Sequence, residues 1–368
     1  MTTTYKTIGV MSGSSLDGVD LAYCHFEEEN GQWKFDILQA ETIPFPPKWE
    51  LRLSKLVMQN AVTFIKTHTF LGHYLGDMIN DFINRHHLQS EVDFIASHGH
   101  TVFHDPKNLF TSQIGDGAAI SAKTRLPVVC DFRTCDVALE GEGAPIVPIG
   151  DIHLFGGHRF CLNLGGIANI SCKVNPEKIV AYDICGANMV LNQWANELNV
   201  DYDKDGHIAA SGEIDPYLLE DLNRSLYYRK SYPKSLGNDW VRDVFLPLFH
   251  RSDAPVEDFL RTAVEHIAIQ IAKDIKHIYK REGITHDKDL QDSMLVTGGG
   301  ALNVFLMQRI ADHAPVEVVI PNRKVVEFKE ALIMGFIGVL RMRKEVNCLS
   351  SVTGAKADTI GGCIYEAF

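Results

Sequence analysis

Apolar positions along the chain fall into two rhythms. Phe70, Leu71, Tyr74, Leu75, Met78, Ile79, Phe82 and Ile83 recur at i, i+1, i+4, i+5, which predicts an amphipathic helix. Leu260, Val264, Ile267, Ile271, Ile275 and Ile278 predict a second. Between the helical stretches lie short apolar runs, DFIASHG, LPVVCDF, SMLVTGG and VEVVIP, which read as buried strands. Strands alternating with helices point to α/β layers, with parallel pairing where helices cross over.

The pattern has two beginnings. KTIGVM, the turn SGSSLDG, VDLAYCHF, the turn NGQW and KFDILQAETI predict a three-strand meander. Near residue 159 a comparable series restarts with RFCLNL, GGIAN, ISCKV, NPEK and IVAYDIC. Repetition on this scale predicts two related halves rather than a solenoid. The boundaries expected are 1–135 with 347–368 for the N-terminal domain and 136–346 for the C-terminal domain. The Gly- and Pro-rich stretch 132–158 makes the first crossing, and a helix at about 326–345 with the tail beyond it leads back. Two such halves imply a ligand cleft between them.

Composition narrows the function. At 368 residues the chain exceeds what one core usually serves. With 35 basic and 47 acidic residues and no basic cluster, its net charge of −12 excludes nucleic acid or an anionic membrane as the main partner. No apolar run reaches the roughly 18–20 residues of a membrane helix, and MTTTYKTIGVMSGSS lacks a leader pattern, so a cytoplasmic protein is expected. Eight cysteines without a C-x-x-C pair, several inside apolar runs, predict reduced, buried thiols.

Several motifs carry candidate chemistry. The turn MSGSSLDGVD offers backbone N–H groups and hydroxyls that can wrap a phosphate, and Asp17 could position Mg²⁺ or a substrate hydroxyl; an ordinary hairpin turn is the alternative. NLGGIANIS, with Gly165 and Gly166, repeats the arrangement in the second half. TGGGALN, with Gly298, Gly299, Gly300 and Asn303, follows a strand and precedes a helix, and is read as a nucleotide site over a structural turn. His98, His100 and His104 in SHGHTVFHDP share a face if extended, and hydrogen bonding to a polar ligand is preferred to zinc. Asp116, Asp131, Arg133 and Asp136 form either a structural network or, through the Arg133 fork, a carboxylate site. Asp183, ending an apolar strand before Asn188, is placed like a catalytic base, although an aspartate starting a helix is common.

Together these motifs resemble the anhydro-N-acetylmuramic acid kinases, within the actin-like, sugar-kinase and heat-shock ATPase fold group. The resemblance runs from MSGSSLDGVD through SHGHTVFHDP, QIGDGAAI, DFRTCDVAL, GAPIVP, NLGGIANIS, YDKDGHIAASG, PKSLG and TGGGALN to KEALIMGFIGVLR and VTGA. It implies an α/β fold of two ribonuclease-H-like domains with ATP in the cleft. It also implies hydrolytic opening of the 1,6-anhydro ring with phosphorylation at O6, serving cell-wall recycling. Carried over by position, Gly13, Ser14, Ser15, Leu16, Asp17, Gly18, Val19 and Asp20 would bind ATP phosphates and Asp183 would be the base. His98, His100, Asp116, Arg133, Asn188 and Glu330 are the candidate sugar contacts. Mg²⁺ is expected to be held mainly by ATP and water, with no metal ligated by protein side chains. Where the family often reads D-T-G-P-G-N, HGQTV and GGQGAP, this chain has Asp183-Ile184-Cys185-Gly186-Ala187-Asn188, HGHTV and Glu140-Gly141-Glu142-Gly143-Ala144-Pro145.

The partners expected are therefore a small amino sugar and ATP, with a homodimer left open. Rival readings are a plain amino-sugar kinase that consumes no water and an inactive sugar- or nucleotide-binding sensor. An ADP-release assay separates the sensor from the enzymes.

Overall fold

The computed structural model describes residues 2–13, 16, 18–175, 178–284 and 292–368, so Ser14, Ser15 and Asp17 lie outside the described residues. The chain divides into two compact units, Met1–Leu154 with Phe328–Phe368, and Phe155–Glu327. These divisions fall within the two expected crossing stretches but not at 135/136 and 346/347. Asp136 is wholly buried in the first unit, where its carboxylate accepts from Gly143 N at 2.8 Å and Thr353 Oγ1 at 2.7 Å. Residues 136–143 are thereby tied to the tail. The helix Arg323–Arg343 departs from helical angles at Phe328 (φ −116°, ψ 16°). Beyond it the helix packs so closely on the first unit that a Cβ at Gly9 would lie 1.8 Å from the Ala331 carbonyl oxygen.

In the first unit β1 (Thr3–Ser12), β2 (Val19–Glu29) and β3 (Gln32–Ile43) form an antiparallel meander. β4 (Phe94–Asp105) joins β1 in parallel, with β5 (Phe110–Ile114) folded back on it, and β6 (Val128–Cys130) pairs parallel to β4. In the second unit β7 (Phe160–Leu164), β8 (Ile167–Asn175) and β9 (Lys178–Gly186) repeat the meander. β10 (Ser293–Thr297) and β11 (Glu317–Val319) add parallel strands beside β7. β12 (Cys363–Tyr365) closes the first sheet against β6. Both units thus place their first strand centrally, continue a meander on one side and add later strands in parallel on the other. That duplicated order gives the expected α/β fold of two ribonuclease-H-like units.

The helices form where periodicity places them. Ala61–Arg85 starts at Asn60, whose side chain accepts from Thr63 N, and buries Leu71, Leu75, Met78, Ile79, Phe82 and Ile83. Phe70, at the margin of that stripe, is instead 50% exposed. Val256–Glu282 buries all six of its predicted apolar positions in the second core and ends at Gly283, whose φ of 63° suits glycine. The cysteine expectation holds only in part. All eight are unpaired, but Cys135 and Cys363 are exposed and Cys130 half-buried. Cys363 lies on the strand closing the sheet, so half its surroundings are solvent.

Candidate active site

In the first unit the turn after β1 keeps Gly13, Leu16 and Gly18 half-exposed, with Leu16 in the left-handed region at φ 65°. A Cβ on Gly18 would meet the Ile43 carbonyl oxygen at 2.6 Å, so the turn lies tight against the end of β3. Val19 is fully buried, which leaves only its backbone to face a ligand. Asp20 accepts from Thr42 Oγ1 at 2.6 Å.

Midway along β4, His98 and His100 are buried and have different partners. His100 Nδ1 lies 3.1 Å from the buried Ser12 Oγ. His98 is fixed as one tautomer, donating from Nδ1 to the Gly99 carbonyl at 2.9 Å and accepting at Nε2 from Arg133 Nε at 2.8 Å. Burial first, then the Arg133 charge, pushes the His98 pKa down to about 3, so this ring is neutral. His104 is exposed and bonds Thr111 Oγ1. Among the described residues no group of three or more His, Cys, Asp or Glu side chains is placed to hold a metal.

Arg133 does not pair with its sequence neighbours Asp131 and Asp136. Besides His98 it donates to the Gly143 carbonyl at 2.6 Å, while Asp131 takes Thr134 Oγ1 and Asp136 holds the tail. The negative charge it feels most is Glu330. Burial raises the Glu330 carboxyl above the usual range, the charge of Asp20 adds to this, and Arg133 and Lys329 oppose it. Asp20, Arg133 and Glu330 therefore form one electrostatic group. Asp116 stands outside it, capping the helix Gly117–Thr124 by accepting from Ala118 N at 2.9 Å.

In the second unit the glycine turns converge. Asn188 donates from Nδ2 to the Leu164 carbonyl at 2.9 Å, and its backbone N–H donates to the Gly165 carbonyl at 3.0 Å. A Cβ on Gly298, at φ 83°, would lie 2.6 Å from Asn163 Oδ1, and one on Gly300 would lie 3.0 Å from Asn188 Oδ1. Gly165, Gly166, Asn188 and Gly298–Gly300 thus surround one spot. Asn303 is turned to another task, accepting from Leu306 N at 2.9 Å as a helix cap.

Asp183 sits in β9, half-buried, with Oδ2 accepting from Leu236 N at 2.8 Å and its own carbonyl accepting from Tyr227 OH at 2.6 Å. No hydrogen bond among the described residues engages Oδ1. Burial raises its carboxyl pKa, while the Leu236 N–H and the Lys234 charge pull it back. Register places Asn163 opposite Asn169, and Asn169 opposite Asp183. Opposed residues of antiparallel strands share a face, so three polar side chains cross the sheet in a row. The sequence reading missed Asn163 and Asn169; NLGGIANIS carried them, but only strand pairing shows them beside Asp183.

The comparisons now decide the family. The profile described as anhydro-N-acetylmuramic acid kinase matches residues 5–367. The chain belongs to the anhydro-N-acetylmuramic acid kinase family. A relative of that name from Sulfurovum sp. is 32% identical over 98% of this chain and 99% of its own length. Another, from Mannheimia succiniciproducens, is 34% identical over 97% of this chain and 98% of its own. Among solved structures, the activator of 2-hydroxyisocaproyl-CoA dehydratase from Clostridium difficile overlays with a TM-score of 0.41 at 15% identity, covering 93% and 98% of the two chains; a likeness that loose bears no argument. Family members are phosphotransferases. Of the departures from the family's frequent pattern, Ile184 and Cys185 are fully buried, so they fill the core beneath the site. Among the described residues no helix is long and apolar enough to cross a membrane.

Proposed function

We propose that the chain uses ATP and water to convert 1,6-anhydro-N-acetylmuramic acid to N-acetylmuramic acid 6-phosphate and ADP in the cytoplasm. The observation that carries this reading is Asp183, a carboxylate fixed through one oxygen and open at the other.

In the anhydro sugar O6 is tied to C1, so no free hydroxyl is present at that position. Water attacking C1 supplies the missing oxygen, and a carboxylate taking its proton makes that attack feasible at neutral pH. O6 leaves as the ring opens, and the γ-phosphoryl group receives it, so ring opening and transfer are coupled. Asp183 is the base; Leu236 N–H aims it. Arg133, whose guanidinium engages no carboxylate in an ion pair among the described residues, is the first unit's candidate for an acid group, through the N–H groups that His98 and Gly143 leave open. His98, locked in one tautomer, orients Arg133. Backbone N–H groups of the second unit's turns at Gly165–Gly166 and Gly298–Gly300 take the phosphates. These turns contain no Lys or Arg, so a divalent cation such as Mg²⁺ would supply the charge that neutralises the phosphates.

The test is a reaction in ¹⁸O water with ADP release followed in parallel. The label belongs at C1 of the sugar phosphate. Label in the transferred phosphate overturns the coupling, and no ADP release on the anhydro sugar overturns the function.

A further inference from the structure

Asp183 is gripped by a loop, and the loop is itself held by an unusual cation. Lys234 lies two residues before Leu236, and only 3% of its side chain is exposed. Its Nζ stands 3.3 and 3.4 Å from the two oxygens of Asp274, which is anchored on the helix Val256–Glu282. It also lies 5.1 Å from the centre of the Tyr182 ring and 5.0 Å from that of Tyr227. Tyr182 precedes Asp183 on β9, and Tyr227 donates to the Asp183 carbonyl. The column continues outward, with Tyr232 stacked on Tyr182 at 4.9 Å and Arg281 placed 4.0 Å over Tyr232. Cations between aromatic faces in a desolvated setting are held firmly.

We propose that Lys234 is the positioning residue for the catalytic base: clamped by Asp274 and two tyrosine rings, it sets the loop whose Leu236 N–H grips Asp183 and presents a positive charge to that carboxylate. This rests on Asp183 being the base. Other groups packed around the column are Asp274 and His277 from the long helix, Tyr227, Tyr228 and Tyr232 from the preceding segment, and Cys185 on β9. At neutral pH Lys234 is the cation that most strongly favours the ionised form of Asp183, whereas burial holds Tyr227, Tyr228, Tyr232 and Cys185 uncharged.

The test is the pH profile of kcat and KM for the full-length enzyme carrying Lys234→Met, Lys234→Arg, or Lys234→Met with Asp274→Asn. An opposite charge within about 4–6 Å moves a carboxylate by about 1–3 pH units. Lys234→Met is expected to move the acid limb of kcat upward by about one pH unit, and so to lower kcat by up to about tenfold at pH values below that limb, with the KM for ATP little changed. Lys234→Arg restores the limb. If Lys234→Met fails to fold because Asp274 is left buried and unpaired, the double variant removes both charges and must still show an upward shift, smaller than that of the single variant because the Asp274 anion is lost as well. An unmoved acid limb in a folded variant lacking Lys234 overturns the inference. Asp183→Asn run beside it separates the two readings, since full activity there defeats the base itself, whereas an inactive Asp183→Asn with an ordinary Lys234→Met profile defeats only the role of Lys234.

Discussion

Asp183→Asn is the substitution whose result the site geometry constrains most. The amide keeps the shape of the carboxylate, and its oxygen can still accept from Leu236 N, which stands 2.8 Å from Oδ2 in the native chain. The loop and substrate contacts should therefore survive, leaving loss of the proton acceptor as the main change. General-base catalysis contributes about 10²–10⁴-fold, equivalent to about 2.7–5.4 kcal/mol of barrier. Stability should move the other way. Burial makes the ionised Asp183 unfavourable in the fold, raising its pKa, so a neutral amide should leave the melting temperature unchanged or raise it. Steady-state ADP release, isothermal titration with sugar and nucleotide, and a thermal melt read the three quantities separately. A rate within tenfold of wild type would refute the base. A large rate loss with a lowered melting temperature would refute the geometry, because it would assign Asp183 a structural task.

Three further outcomes follow. Activity should require a divalent ion, since the phosphate turns supply N–H donors but no side-chain cation; full turnover in excess EDTA would contradict this. Burial pushes the pKa values of His98 and His266 down to about 3, so the unfolded chain alone gains their protons below about pH 6.5, and stability should fall from there toward pH 3 by at most about 1.4 kcal/mol per pH unit for each. His266→Gln should flatten that dependence in urea titrations. Asp136→Ala leaves the Gly143 N–H and Thr353 hydroxyl without their buried acceptor and should cost about 3 kcal/mol or more, read from a lower urea midpoint.

The parts of this fold legible in the sequence are those governed by local periodicity. The 256–282 helix and the two meanders announce themselves because their apolar residues recur at the helix or strand period. Domain boundaries are less legible, since a glycine-rich stretch marks where a chain can cross but not which core captures each end. Asp136 looks like a linker residue until Thr353, far along the chain, is found bonded to it. Sequence proximity also suggested an Asp–Arg network around Arg133. The left-handed Asp131, at φ 61°, turns the chain there, and Arg133 finds His98 instead. Asp183 was legible because a carboxylate following an apolar run is conspicuous, although the strand does not end there as expected but runs on to Gly186. Asn163, Asn169 and Lys234 were not, because register and ring stacking decide their importance.

The duplicated meander also shows why the second unit and not the first carries a carboxylate in this position. In the first unit Ser12 pairs with Val19, and Asp20 pairs with Thr42. In the second, Leu164 pairs with Ala168, and Asn169 pairs with Asp183. Counting from the turns, Asp20 occupies the place of Asn169, and Thr42 the place of Asp183. The carboxylate therefore sits on the middle strand in one unit and on the third strand in the other. On the middle strand it faces a hydroxyl, and Thr42 Oγ1 donates to Asp20 Oδ1 at 2.6 Å. On the third strand it faces an amide across the pair, and among the described residues its carboxylate accepts from one backbone N–H, that of Leu236, leaving Oδ1 to accept. A carboxylate that receives a neighbouring hydroxyl is partly satisfied and is suited to orienting. One that is desolvated, backed by a single donor and open on its other oxygen is suited to taking a proton from water. Exchanging the polar residues between two positions of the same scaffold is enough to give the carboxylates of the two units different surroundings.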